Sequence, residues 1–186
     1  MSQTERLKEK LAKLRLKGML KNLDSVMAQT AEKNLDPSSA ICLLADFEIE
    51  ERWQNSVALR WRQSKLNEKV TIDQFDSDHH KSRREQKGKI LNLMNLEFVQ
   101  KRMDVILIGT PGTGKTFLAK AIATAACNNN IKVLFTTAID MINHLIAAEA
   151  DRSLLKKLQY YQSPDLLVCD ELGYLSLGEQ GSHLFF

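Results

Sequence analysis

Only three cysteines, Cys42, Cys127 and Cys169, occur in the 186 residues, and they lie far apart. They offer neither an even disulfide framework nor a C-x-x-C metal or redox pair, so a reducing cytoplasm is the expected compartment. Four histidines also lack ligand spacing, and the adjacent pair His79 and His80 points to opposite sides of any regular element. A His/Cys metal site is not expected. No apolar run approaches the roughly 18–20 residues that span a bilayer. The N-terminal MSQTERLKEK is charged from its fourth residue on and has no signal-peptide core, so a protein that is neither secreted nor membrane-bound is expected. Internal repeats of 20–50 residues are absent too. With three prolines, eight glycines, 44% hydrophobic and 26% charged residues, the composition excludes collagenous, disordered and low-complexity chains. The length allows one domain with an appendage.

Charge is present but uneven. Residues 1–98 hold 18 Lys/Arg against 15 Asp/Glu, and residues 99–186 hold 8 against 8, so the net +3 belongs to the first half. Residues 1–22 alone carry seven basic side chains, Arg6, Lys8, Lys10, Lys13, Arg15, Lys17 and Lys21, against Glu5 and Glu9. Such a cluster is the electrostatic footprint of a surface that meets phosphates or an acidic partner. A solvated helix face would look the same.

Leu7, Leu11 and Leu14, then Leu16, Leu20, Leu23 and Met27 after a shift near Gly18, predict an amphipathic helix over residues 4–33. Asp36-Pro37 reads as an N-cap followed by proline at the first helical position, opening a helix over 37–67. In that helix Trp53, Val57 and Trp61 recur at helical spacing and are expected to pack, while the nearby Arg60 and Arg62 are candidate DNA contacts. Residues 70–80 lose the helical period, which places a boundary between a helical domain over 1–75 and a second domain over 76–186. After a basic stretch, Ile90, Leu93 and Met94 form one side of a further helix.

The chemistry begins at residue 105. Val105-Ile106-Leu107-Ile108 suits a strand buried on both faces of a parallel sheet. Gly109, Thr110, Pro111, Gly112, Thr113, Gly114, Lys115 and Thr116 then match G-x-x-x-x-G-K-[ST] at every fixed position. Phe117, Leu118, Ala121, Ile122 and Ala125 follow with a helical period. In this context glycines let backbone N–H groups fold around a β-phosphate, and the helix N-terminus adds its positive end. Lys115 is expected to reach the β- and γ-phosphates and Thr116 to ligate Mg²⁺; Phe117 completes the ATP-binding set. Residues 132–136 read as the next strand and 139–148 and 151–160 as helices. Ser163-Pro164-Asp165 turns into Leu166-Leu167-Val168-Cys169, a strand that closes on Asp170-Glu171. Asp170 is expected to position Mg²⁺, and Glu171 to orient and deprotonate the attacking water. Cys169 reads as a small buried strand residue with no catalytic role, and His144 as a surface or satisfied core histidine.

GTPGTGKT followed by LLVCDELGYL, with an N-terminal LRLKGM segment and an E-R-W-rich helix, resembles the IstB-type ATPases across nearly the whole chain. These are transposition helpers encoded beside the IstA transposase in bacterial insertion sequences, similar in turn to the DnaC helicase loaders of the AAA+ class. The resemblance implies an α/β P-loop core behind a helical N-terminal domain, an ATP- and Mg²⁺-dependent homo-oligomer, and largely non-specific binding of duplex DNA that presents a target to the transposase. Lys8, Lys10, Lys13, Arg15, Lys17 and Lys21 are then the candidate DNA contacts. A helicase loader in replication and a non-catalytic binding fragment are the alternatives. Only the first three AAA+ strands, 105–109, 131–136 and 166–170, find counterparts before Phe186. A chain cut short after the Asp-Glu strand, with weak ATP binding and little hydrolysis, is therefore expected.

Overall fold

Helix breaks organise the first part of the chain. The computed structural model describes residues 2–78 and 81–172, which leaves Gly173, Tyr174 and the pair His79 and His80 outside the described residues. Two compact units, Met1–Ala58 and Leu59–Phe186, divide the chain. The loss of helical period at 70–80 lies beyond this division, which falls inside a helix.

In the first unit the expected single helix over 4–33 is two. Helix α1, Gln3–Lys13, is closed at its start by Ser2, which accepts from the Glu5 N–H while Glu5 reaches back to the Ser2 N–H. It ends at Leu14, Arg15 takes a left-handed φ of 59°, and α2, Lys17–Lys33, begins two residues later. The physical reason lies in the leucine phase. Leu14 and Leu16 cannot share one face of a continuous helix, and the break lets α2 fold back against α1, with Leu11, Leu23 and Val26 buried. Each such side chain contributes about 1.5–3 kcal/mol when fully buried.

Helix α3 spans Pro37–Ser64 and starts as expected. Asp36 accepts from the Ser38 and Ser39 N–H groups at 2.9 and 3.1 Å and from the Ser39 hydroxyl at 2.6 Å. Within the first unit α3 contributes Glu48, which is buried and caps α2. Its carboxylate accepts from Gly18 N–H at 2.7 Å, from Met19 N–H at 3.3 Å and from Arg52 Nε at 2.7 Å. Gly18 permits this approach, because a Cβ there would lie 2.3 Å from the Phe47 carbonyl oxygen. The LRLKGM segment and the E-R-W helix are thus two sides of one contact. Trp53 departs from its expected packing role and is 46% exposed.

Three carboxyls of this unit titrate below their ordinary range. The Ser39 hydroxyl holds Asp36 down, Arg52 holds Glu48 down against the opposing effect of burial, and Lys21 does the same for Glu51. Because the folded values are depressed, the stability these groups give is complete above the ordinary carboxylate range and fades as pH falls through the depressed values. Melts followed by circular dichroism from about pH 7 to about pH 3 should show a falling midpoint. Glu48→Gln should start lower and fall less steeply. A wild-type midpoint that rises on acidification would contradict the assignment.

The second unit begins with the end of α3. Here Trp61 packs on the core, with its Nε1–H 3.3 Å from Asn128 Oδ1 and the Lys69 ammonium 4.9 Å from its ring. A 3-10 turn, Ile72–Gln74, leads to α4, Lys81–Leu93, and the short α5, Glu97–Gln100. Then come α6, Lys115–Asn128; β1, Val133–Thr137; α7, Ala138–Ala150; α8, Leu154–Gln162; and β2, Leu166–Asp170. β1 and β2 pair in parallel, Val133 opposite Leu166 and Thr137 opposite Asp170, with α7 and α8 as the crossover. The Asp165 carboxylate fixes the entry to β2 by accepting from Lys132 N–H at 3.0 Å. Ala121, Ala123 and Ala126 are buried, and small side chains let α6 lie close on both strands. Leu96, Phe98, Leu118, Ile122 and Val133 complete the main core.

One expected strand is missing. Residues 105–108 have no ladder partner among the described residues, and Ile106 and Ile108 are 78% and 91% exposed. An apolar run becomes a strand only where a neighbour offers its N–H and C=O groups, and neither β1 nor β2 lies alongside this one. The described residues are therefore mostly helical around a two-stranded parallel sheet, consistent with an α/β P-loop domain. Among them, no helix is long and apolar enough to cross a membrane.

Candidate functional site

The loop over 109–116 is shaped by two left-handed residues. Gly112 has φ 80° and Gly114 has φ 85°, conformations that side chains with a Cβ rarely adopt. Between them the chain turns tightly enough for Thr113 Oγ to donate to the Thr110 carbonyl at 2.8 Å. Gly114 is the N-cap residue of α6, and the Leu118 N–H closes the first helical turn on its carbonyl at 2.9 Å. The first N–H groups of an α-helix have no intrahelical partner, so the start of α6 presents donors and the positive end of its dipole to the loop.

Lys115 reaches back over this loop. Its ammonium donates to the Gly109 and Thr110 carbonyls at 2.7 and 2.9 Å, which uses two of its three N–H bonds. Thr116 is exposed on the first turn of α6, and Phe117 is half-buried with its ring centroid 5.7 Å from that of Phe75. A cavity of about 730 Å³ opens beside the loop, lined by Gly109, Thr113 and Lys115 and by Leu93, Ile106 and Leu118. Its size suits a ligand with a phosphate tail and an apolar body. A larger cavity, about 880 Å³, is lined by Met94, Asn129, Pro164 and Asp165 and does not reach residues 109–116.

Asp170 ends β2, half-buried, and Glu171 follows in a left-handed conformation, φ 62°, with its N–H donating to Asp170 Oδ1 at 2.9 Å. Chain direction places Asp170 at the loop end of the sheet. α6 enters β1 through only residues 129–132 and so runs back along it, which leaves the start of α6 toward the C-terminal end of β1. Thr137 of that end pairs with Asp170. Cys169 beside it is half-buried, and burial together with the Asp170 charge pushes its thiol up to about 11, so it is inert as expected. His144 is exposed and pairs through Nδ1 with the buried Tyr161 hydroxyl at 2.7 Å, a satisfied histidine.

Two residues at the loop escape the sequence pattern. Arg83, near the start of α4, donates from Nε to the Thr113 carbonyl at 2.9 Å and from Nη2 to the Gly112 carbonyl at 3.3 Å, and it stacks on Phe75 with 4.7 Å from Cζ to the ring centroid. Both precede the loop by about thirty residues, and the only local signal is the basic stretch in which Arg83 sits.

The candidate DNA contacts do not form one class. Lys8 pairs with Asp24 and Lys21 with Glu51, at 2.6 and 2.7 Å. In the second unit Arg60 donates through Nε to the Asn130 carbonyl and side-chain oxygens at 3.0 Å. Lys10, Lys13, Arg15, Lys17 and Arg62 are exposed, and among the described residues no acidic side chain forms an ion pair with them.

Comparison with known proteins gives one consistent match. The family described as IstB-like ATP binding protein matches residues 9–186. The ATP-binding protein named for insertion sequence IS5376 of Geobacillus stearothermophilus is 32% identical over 182 residues, covering 98% of this chain and 72% of the relative. That of IS232 from Bacillus thuringiensis subsp. berliner is 28% identical with the same coverage. That of IS21 from Pseudomonas aeruginosa is 30% identical over 176 residues, 95% of this chain and 66% of the relative.

Proposed function

The chain belongs to the IstB-like ATP-binding family, and on that premise we propose that the loop over Gly109–Thr116 binds the phosphates of ATP in the service of an insertion sequence's transposase. The observation that carries this reading is the left-handed pair Gly112 and Gly114 at the start of α6, with the Lys115 ammonium folded over the same loop. Oriented N–H groups, a helix N-terminus and a mobile cation together make an anion site that few other functions need.

The donor set also fits Mg²⁺. A hydroxyl at Thr116 and a carboxylate at Asp170 are hard oxygen ligands of the kind that serve this ion alongside phosphate oxygens. When bound, Mg²⁺ supplies charge neutralisation between phosphate groups. Glu171 is the residue we assign to orient and deprotonate water for hydrolysis, and its exposed position after β2 leaves the carboxylate accessible to solvent. Equilibrium dialysis of Mg-ATP against the chain tests the central reading. Saturable binding of one nucleotide per chain is expected; no binding at millimolar ATP would refute it.

DNA contact is assigned to the helical N-terminal part, in a cytoplasmic, oligomeric protein. The exposed Lys10, Lys13, Arg15 and Lys17 support it, because a cation not held in an ion pair can neutralise a phosphate at little cost. Replacing all four with glutamine should lower the slope of log affinity against log salt by about 0.9 for each phosphate that is no longer neutralised. Replacing Lys8 and Lys21, already paired with Asp24 and Glu51, should change the slope less. Equal slopes for the wild type and the fourfold variant would reject the assignment.

A further inference from the structure

The peptide units around Thr113 are held from outside the loop. A peptide unit is planar and trans, so its C=O and N–H bonds point opposite ways. The carbonyls of Gly112 and Thr113 both turn toward the Arg83 guanidinium, at 3.3 and 2.9 Å. The N–H groups of the same two peptide units, those of Thr113 and Gly114, therefore point away from Arg83, and the Thr113 N–H donates to the Thr110 carbonyl at 3.4 Å. Arg83 is itself held in place. Nη1 donates to the Asp76 carbonyl at 2.9 Å, one face of the guanidinium covers the Phe75 ring, and that ring meets Phe117 on the first turn of α6. The fit is close. A Cβ added to Gly114 would lie 2.8 Å from Arg83 Nη2 and 2.9 Å from Phe75 Cε2.

We infer that Arg83 is a positioning residue for nucleotide binding: its guanidinium, seated on Phe75, locks two successive loop carbonyls outward so that the Gly114 N–H faces the phosphates of a nucleoside di- or triphosphate. Arg83 itself does not touch the nucleotide. A planar fork holds two carbonyls and a third from Asp76 in fixed directions, and an ammonium at the same place would keep the charge without that geometry. The assignment rests on reading the loop as a nucleotide site, and it adds a residue outside the motif.

The test compares Arg83→Ala, Arg83→Lys and Lys115→Ala in the full chain by titration with a fluorescent ADP analogue, with and without millimolar n-propylguanidinium. Arg83→Ala should bind at least about tenfold more weakly, the equivalent of ~1.4 kcal/mol. Arg83→Lys should remain nearly as weak, and n-propylguanidinium should restore binding to Arg83→Ala but not to Lys115→Ala. Wild-type affinity in either Arg83 variant overturns the inference, and so does an absence of rescue in a folded Arg83→Ala chain. If Arg83→Ala does not fold, Arg83→Lys decides alone: weak binding supports the role and wild-type binding overturns it. A Lys115→Ala chain that binds as tightly as the wild type refutes the nucleotide site itself, a different failure from loss of the Arg83 effect alone.

Discussion

Replacing Lys115 with alanine is expected to weaken ATP binding about a hundredfold, ~2.7 kcal/mol, while leaving the fold intact. A hydrogen bond from an ammonium to a phosphate oxygen is charge-assisted, and in a loop already lined by N–H donors it is the strongest single contact available. Lys115 can make it because its present partners are weak competitors. The Gly109 and Thr110 carbonyls are neutral and lie in an exposed loop, so exchanging them for phosphate costs little. For the same reason their loss should change the melting midpoint by only a few degrees. Titration of a fluorescent ATP analogue, with a circular-dichroism melt as control, separates the two effects. A Lys115→Ala chain that binds within about threefold of the wild type would show that the loop does not hold phosphate.

Gly18→Ala should destabilise the first unit by about 3 kcal/mol, against the ordinary trend for a helical glycine. Alanine is the better helix former by about 1 kcal/mol. Here its Cβ would lie 2.3 Å from the Phe47 carbonyl oxygen and 2.6 Å from the Glu48 Cα, both rigid backbone. α2 and α3 must therefore separate, and the buried bond from Gly18 N–H to Glu48 stretches with them. Overpacking and a weakened buried donor each cost about 1–3 kcal/mol, so together they outweigh the propensity gain. Gly88 provides the control. It lies exposed within α4 with nothing within 4 Å of an added Cβ, so Gly88→Ala should be neutral or stabilising by up to about 1 kcal/mol. Urea unfolding followed by circular dichroism checks both. Equal effects of the two substitutions would mean that the α2 to α3 contact is not as close as described.

The contrast between these glycines shows where sequence reading succeeds and stops. The glycine loop over 109–116 is legible because its signal is local: eight consecutive residues contain the turn, the cation and the helix start. β1 and β2 are legible too, as apolar runs bounded by turn residues such as Ser163, Pro164 and Asp165. Residues 105–108 carry the same pattern and yet form no ladder, because pairing depends on a neighbour that the run itself does not encode. Trp53 and Trp61 likewise share one helical spacing, but only Trp61 meets the core of the second unit. The break at Arg15 leaves a trace, the phase slip from Leu14 to Leu16, that reads correctly as two helices only when the second folds back. Arg83 leaves almost none. Its partners in the loop are backbone carbonyls about thirty residues away, and a carbonyl has no residue identity to match.

The most direct test of nucleotide binding at this loop is to follow the backbone amides of the ¹⁵N-labelled chain by NMR as Mg-ADP is added. Phosphate bound in the loop should shift the amides of Gly112, Thr113, Gly114 and Lys115 most, toward lower field as their N–H groups bond to an anion. Absence of saturable shifts there, or shifts confined to the cavity beside Met94, Asn129 and Asp165, would contradict it.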